Sequence, residues 1–173
     1  RHISVGVDRI DYTKGIPERL MAVDRFLMKH PEMVGKFVYL QLGALSRIHL
    51  QLYKRLNDEL NQLVDEINWR HSTSTWQPII FLRRNLTYPE VLAIYRLADS
   101  CIVSSLHDGM NLMAKEFIAS RNDEDGVLIL SKFTGAAREL EKNAVIFNPY
   151  DVEGFADAIA RAVNMPRQKR VKR

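Results

Sequence analysis

Residues 100–120 read SCIVSSLHDGMNLMAKEFIAS. The first seven residues are apolar and partly β-branched, the composition of a buried strand. NLMAKEFIAS then has the apolar spacing of a helix. Between them stand an imidazole, a carboxylate and a glycine: His107, Asp108 and Gly109. A buried strand that runs through a short polar loop into a helix is one step of a βαβ unit. Such a unit fixes the fold only if it recurs.

It does recur. Upstream, residues 2–8 read as a strand and 17–30 as a helix, with Pro17 in the favoured first turn and Leu20, Met21, Phe26 and Leu27 as its apolar stripe. Residues 36–43 are a second strand. A long amphipathic helix over 47–69 follows, with Leu52, Tyr53, Leu56, Leu60, Leu63, Val64 and Ile67 at helical spacing. Residues 78–82 form strand three. Thr87 and Glu90 make a T-x-x-E capping box for the helix that starts at Tyr88. After the quoted stretch come a strand at 126–131, a helix at 135–142, a strand at 143–148 and a last helix capped by Asp151 and running to Val163. Short, continuous Val/Ile/Leu strands alternating with helices imply a parallel sheet covered on both faces. The expected class is α/β, a Rossmann-like doubly wound parallel sheet of about six strands. Residues 1–165 form this domain and 166–173 a basic tail.

The chain has 173 residues, enough for one substantial core, with 46% hydrophobic and 27% charged residues. RHISVGV is strand-like from the first residues, so the sequence is expected to be a domain of a longer protein. No leader is legible, and no stretch of about 18 apolar residues could cross a membrane. The net charge of +4 is local to PRQKRVKR, which holds five of the 25 Lys and Arg; the remaining 20 face 21 acids. The tail is expected to be a solvated linker or helix end, not a nucleic-acid site. The single cysteine, Cys101, excludes an internal disulfide and reads as a small buried hydrophobe, in keeping with a cytoplasmic protein.

In doubly wound sheets, ligands bind beyond the carboxyl ends of the strands, where helix N-termini attract anions. His107–Asn111 falls there. Gly109 lets the backbone turn or approach a ligand, and the amides of Met110, Asn111 and Leu112 are expected to face outward. Those amides suit a phosphate, and Asp108 suits sugar hydroxyls; alternatively Asp108 caps the helix. The first loop, VDRIDYTKGIPERL, opens on the same edge with two cations, Arg9 and Lys14, beside Asp8 and Asp11. A guanidinium grips phosphate oxygens in a fork and an ammonium adds a point charge. Neither G-x-x-x-x-G-K-[ST] nor G-x-G-x-x-G is present, which argues against a P-loop and against NAD. Glu116, one helical turn beyond Leu112, either accepts from two ribose hydroxyls or stands exposed, paired with a neighbouring cation.

With these residues in view, the sequence resembles the retaining glycosyltransferases of the trehalose-6-phosphate synthase family. GVDRIDYTKGIPERL, DGMNLMAKEF and LSKFTGAARELEKNAVIFNPYD match it in the family's order, over residues 3 to 165. The resemblance implies the second of two Rossmann-like domains, one half of a GT-B fold, which binds the nucleotide sugar. By it, Arg9 and Lys14 hold the diphosphate of UDP-glucose or GDP-glucose. Asp108 binds glucose hydroxyls with the amides of Gly109, Met110 and Asn111. Leu112 gives an amide to the phosphates, Glu116 binds the ribose, and the base lies near residues 84–86. Arg47 matches an arginine that meets the acceptor's phosphate. The implied reaction transfers glucose to glucose 6-phosphate with retention, with no cofactor and no metal. His107 stands where the family commonly has arginine, and Leu45 where it commonly has proline, so a related acceptor such as glycerol phosphate stays open, as does a noncatalytic domain that senses nucleotide sugar. The implied partners are a nucleotide sugar, a sugar-phosphate acceptor and a facing N-terminal GT-B domain; a homo-oligomer is compatible, and no membrane or nucleic acid is expected. Without the facing domain, turnover is not expected.

The remaining residues carry less. His2, His30, His49 and His71 have no ligand spacing. Asp123, Glu124 and Asp125 read as a solvated turn, and Trp69 and Trp76 as core or edge packing.

Overall fold

The computed structural model describes residues 1–44 and 50–171. Six strands form one sheet: β1 (His2–Arg9), β2 (Phe37–Ala44), β3 (Ile79–Leu82), β4 (Ser100–Val103), β5 (Val127–Ser131) and β6 (Val145–Phe147). Their spatial order is β3-β2-β1-β4-β5-β6, and every pairing is parallel. The order reverses between β1 and β4, where successive crossovers leave to opposite sides. That switch point is where doubly wound sheets open a crevice at their carboxyl edge.

The crossovers cover both faces. On one lie α1 (Ile16–Lys29), α2 (Gln51–His71) and α6 (Val152–Val163). Phe26, Leu56, Leu60, Ile67, Phe155 and Ile159 of these helices join Phe37, Tyr39 and Ile79 in one buried cluster. On the other lie α3 (Tyr88–Leu97), α4 (Leu112–Ser120) and α5 (Ala137–Leu140). Tyr95, Phe117 and Ala137 pack there on Val5, Val103 and Leu130. A fully buried Phe or Leu in such a layer contributes about 1.5–3 kcal/mol. A last turn, α7 (Arg167–Arg170), follows α6.

Most expected elements stand within a residue or two of their places. Glu90 accepts from both the N–H and the hydroxyl of Thr87, the expected capping box, and Asp151 Oδ1 accepts from Gly154 N–H at the start of α6. Five readings need correcting. Strand four ends at Val103, because Ser104 and Ser105 turn their hydroxyls to loop groups. The helix expected over 135–142 is the single turn α5. Met21 and Leu52 lie on the solvent side of their helices, and Trp69 is 89% exposed; only Trp76 is buried, its indole N–H donating to Phe37 O at 3.0 Å. The acidic run is not simply solvated: Arg170 Nε of the basic tail lies 2.6 Å from Asp125, Arg167 Nε lies 3.4 Å from it, and Arg121 pairs with Asp123. Among the described residues no helix is long and apolar enough to cross a membrane.

Candidate functional site

The β1–α1 and β4–α4 loops meet at the switch point. After β1, Asp11 accepts from the N–H and hydroxyl of Thr13 and starts a 3-10 turn, Tyr12–Lys14. Gly15 then reverses the chain into α1 with φ +61°, a conformation L side chains rarely adopt, and a Cβ there would fall 2.2 Å from Ser104 O. The two loops are thus in backbone contact. Leu106 N–H also donates to Thr13 O at 2.8 Å.

This contact brings Lys14 to Asp108. Their Nζ and Oδ2 are 2.8 Å apart, both side chains largely buried. Burial acts to raise the Asp108 carboxyl, but Lys14, the Met110 amide and the Asn111 side chain outweigh it and hold the group below the ordinary carboxylate range. Asp108 Oδ1 accepts from Met110 N–H at 3.3 Å and Asn111 N–H at 3.1 Å. Two of the three amides expected to face outward are therefore turned onto Asp108. Only the Leu112 N–H has no protein acceptor among the described residues. The helix cap is not Asp108 but Asn111, in the left-handed region at φ 65°, whose side chain accepts from Ala114 N–H. Gly109 has no positive φ, and a Cβ on it would meet nothing within 4 Å. Its smallness leaves open space in front of the loop; it does not make the turn.

Arg9, the last residue of β1, is exposed and makes no ion pair among the described residues. Neither nearby acid forms an ion pair with it: Asp8 pairs with Arg19 at 2.8 Å, and Asp11, bonded to Thr13, feels the Arg9 charge only at longer range. Arg9 borders a hollow of about 260 Å³ that also touches Asp8, Gly43, Ala44 and residues 84–86. The stretch expected to receive the base thus shares one hollow with the first cation. Glu116 is half-buried on α4 and has no ion pair among the described residues; its neighbour Lys115 takes Glu139 instead. Arg47 lies outside the described residues. His107 is exposed at the rim. Among the described residues no group of three or more His, Cys, Asp or Glu is placed to hold a metal. Cys101 is buried, and burial pushes its thiol up to about 12.

Sequence reasoning missed the supports. Gly135 N–H donates to Asp108 O at 2.9 Å and Ala136 N–H to Met110 O at 3.1 Å. A Cβ on Gly135 would fall 1.9 Å from Gly109 O, so this loop fits against the site only as glycine. Arg19, Ser104 and Ser105 lie beneath the loops, fully buried. A signal for Arg19 existed: it falls on the stripe Ile16, Leu20, Val23, Phe26, Leu27 that α1 buries.

Two loops that carry cations, a carboxylate and an open amide at a switch point suit a ligand with phosphate at one end and hydroxyls at the other. Comparison with known proteins gives that geometry a lineage. The model of glycosyltransferase family 20 matches residues 1–173. This chain belongs to glycosyltransferase family 20. It is 46% identical over 166 residues to the alpha,alpha-trehalose-phosphate synthase [UDP-forming] of Botryotinia fuckeliana (strain B05.10), covering 96% of this chain and 32% of that protein. It is 42% identical over 168 residues to the 56 kDa subunit of the same enzyme from Saccharomyces cerevisiae, covering 97% and 34%. Among solved structures, the UDP-forming synthase of Burkholderia xenovorans superimposes with a TM-score of 0.97 at 37% identity, over 99% of this chain and 38% of that one. A structure described as trehalose-6-phosphate from E. coli bound with UDP-2-fluoro glucose gives a TM-score of 0.96 at 37% identity, over 99% of this chain and 38% of that one. These neighbours are GT-B proteins, and this chain has the α/β architecture of one of their halves. It spans about a third of the length of the relatives it matches.

Proposed function

We propose that this chain is the donor-binding half of a retaining glucosyltransferase that moves glucose from UDP-glucose to glucose 6-phosphate, giving trehalose 6-phosphate. The observation that carries the reading is the Lys14–Asp108 pair at the switch point of a family 20 chain, with Arg9 at the start of the same loop as Lys14 and the open Leu112 amide at the start of α4. In the reaction the bond from the anomeric carbon to the diphosphate oxygen breaks, and a bond to an acceptor hydroxyl forms on the same face. The acceptor's proton leaves with the diphosphate. Charge builds on the departing oxygens, and Arg9, Lys14 and the Leu112 amide are the groups that stabilise it. They fill the role a divalent cation has elsewhere, so the reading calls for no metal. Asp108 exchanges its Lys14 and amide partners for glucose hydroxyls, and Glu116 takes the ribose. Uridine is favoured over guanosine because the similar enzymes are named as UDP-forming. Arg47 receives the acceptor phosphate, with a facing GT-B domain supplying the rest of that site.

The test is initial-rate kinetics on the protein in its natural full length, following UDP release. Asp108→Asn keeps the size of the side chain and loses its charge, and is expected to lower kcat about 100-fold, the scale of one lost transition-state contact. A wild-type protein that releases no UDP when given both sugars, or an Asp108→Asn enzyme of unchanged rate, would refute the reading.

A further inference from the structure

Beneath the two loops sits an arginine that touches no outer surface. Arg19 of α1 is 0% exposed. Its Nε donates to Ser104 Oγ at 2.8 Å, and Nη1 donates to Tyr39 OH and Gln41 Oε1, both at 3.0 Å. Nη1 also lies 2.8 Å from Asp8 Oδ2, and Nη2 reaches Lys14 O at 3.4 Å. The Ser104 hydroxyl in turn bridges Lys14 O at 2.9 Å and Gly15 O at 2.8 Å. Gly6 of β1 makes room for the guanidinium: a Cβ there would fall 2.1 Å from Arg19 Nη1 and 2.3 Å from Tyr39 OH. Two strands and two loops therefore converge on one buried cation.

Stability is a weak reason for such a group. Taking a guanidinium out of water is costly, and apolar replacements of buried ion pairs are often neutral or stabilising. What the fork does supply is geometry. Asp8 is the residue before Arg9. Lys14 O and Gly15 O belong to the turn that aims Lys14. We propose that Arg19, with Ser104 as its relay, is a positioning residue of the donor site: it fixes the end of β1 that carries Arg9 and the turn that carries Lys14, and it offsets the Asp8 carboxylate that would otherwise stand unopposed beside bound phosphate. The inference rests on the donor-site reading above.

It predicts a selective effect. In the protein at its natural full length, Ser104→Ala and Arg19→Lys are expected to raise the KM for UDP-glucose about tenfold, since small misplacements of phosphate-binding groups are costly. The KM for glucose 6-phosphate should stay within about twofold, because none of the groups the fork holds is assigned to the acceptor. Arg19→Lys keeps the charge opposite Asp8 but loses the planar fork, so it should not rescue donor KM. Circular dichroism before each assay confirms a folded enzyme, and if Arg19→Lys does not fold, Ser104→Ala alone decides. Donor and acceptor KM that rise together, or neither rising, overturn the inference. Arg9→Ala measured in parallel separates the two levels: if Arg9→Ala weakens the donor and Ser104→Ala does not, only the positioning role fails. If Arg9→Ala is also silent, the donor-site reading fails and this inference with it.

Discussion

Lys14 and Asp108 join across the switch point at 2.8 Å, one ammonium against one carboxylate. A ligand with a diphosphate next to a sugar offers each of them a better partner at once, which is why the pair reads as part of a binding site and not as a stabilising surface bridge. The far edge of the sheet shows a titratable residue with the opposite character. His2 is packed on Phe37, and its Nε2 lies 3.0 Å from Ser100 Oγ. Burial pushes its pKa down to about 4; Asp99 opposes the shift, and Arg170 adds to it. The folded value lies below the unfolded one of 6.5, so the folded state resists protonation. The contribution of neutral His2 is therefore complete above about pH 6.5 and is lost as pH falls towards 4. Urea unfolding at pH 7.5 and pH 5 should show wild type losing about 1–2 kcal/mol more than His2→Gln between the two. Parallel pH profiles for the two proteins would contradict the assignment.

Between strands and helices, the site depends on loops that interlock by backbone. The clearest example is the 132–136 segment after β5, where Gly135 presses on Gly109 O and donates to Asp108 O. Gly135→Ala puts a carbon 1.9 Å from that oxygen, and only backbone movement relieves the clash. The expected outcome is a melting temperature lower by several degrees, the scale of about 1–3 kcal/mol in a domain of this size. UDP-glucose affinity should fall with it, because Asp108 is displaced. An unchanged melting temperature and affinity would mean the loop yields freely. This scale also explains what could be read from sequence. The strands, their parallel class, the capping box at Thr87 and the two loops with Arg9, Lys14 and Asp108 follow from local composition and spacing. The partners of Asp8 and of the Met110 and Asn111 amides do not, because each is set by a residue distant in the chain or by a loop conformation. Arg19 was hidden for another reason: arginine on an amphipathic helix ordinarily faces solvent, and only its place in the buried stripe of α1 marks it. Trp69 misled in the opposite direction, since an indole near a helix end ordinarily packs, and this one is 89% exposed.

At the scale of the molecule, one sheet presents the proposed donor crevice at its carboxyl edge and is covered by helices on both faces. Family 20 relatives are about three times as long, and the proposed function assigns the surface opposite that crevice to a facing domain outside these 173 residues. Residues 1–173 on their own are expected to bind nucleotide sugar weakly and to produce no trehalose 6-phosphate. The central claim is that the crevice is a UDP-glucose site built on Arg9. The most direct test is calorimetric titration of the protein in its natural full length with UDP-glucose, GDP-glucose and NAD, for wild type and Arg9→Ala. The account predicts that wild type binds UDP-glucose in preference to the other two, and that Arg9→Ala weakens that binding tenfold or more, about 1.4 kcal/mol. Equal binding of wild type and Arg9→Ala, or no binding of any nucleotide sugar by wild type, would contradict it.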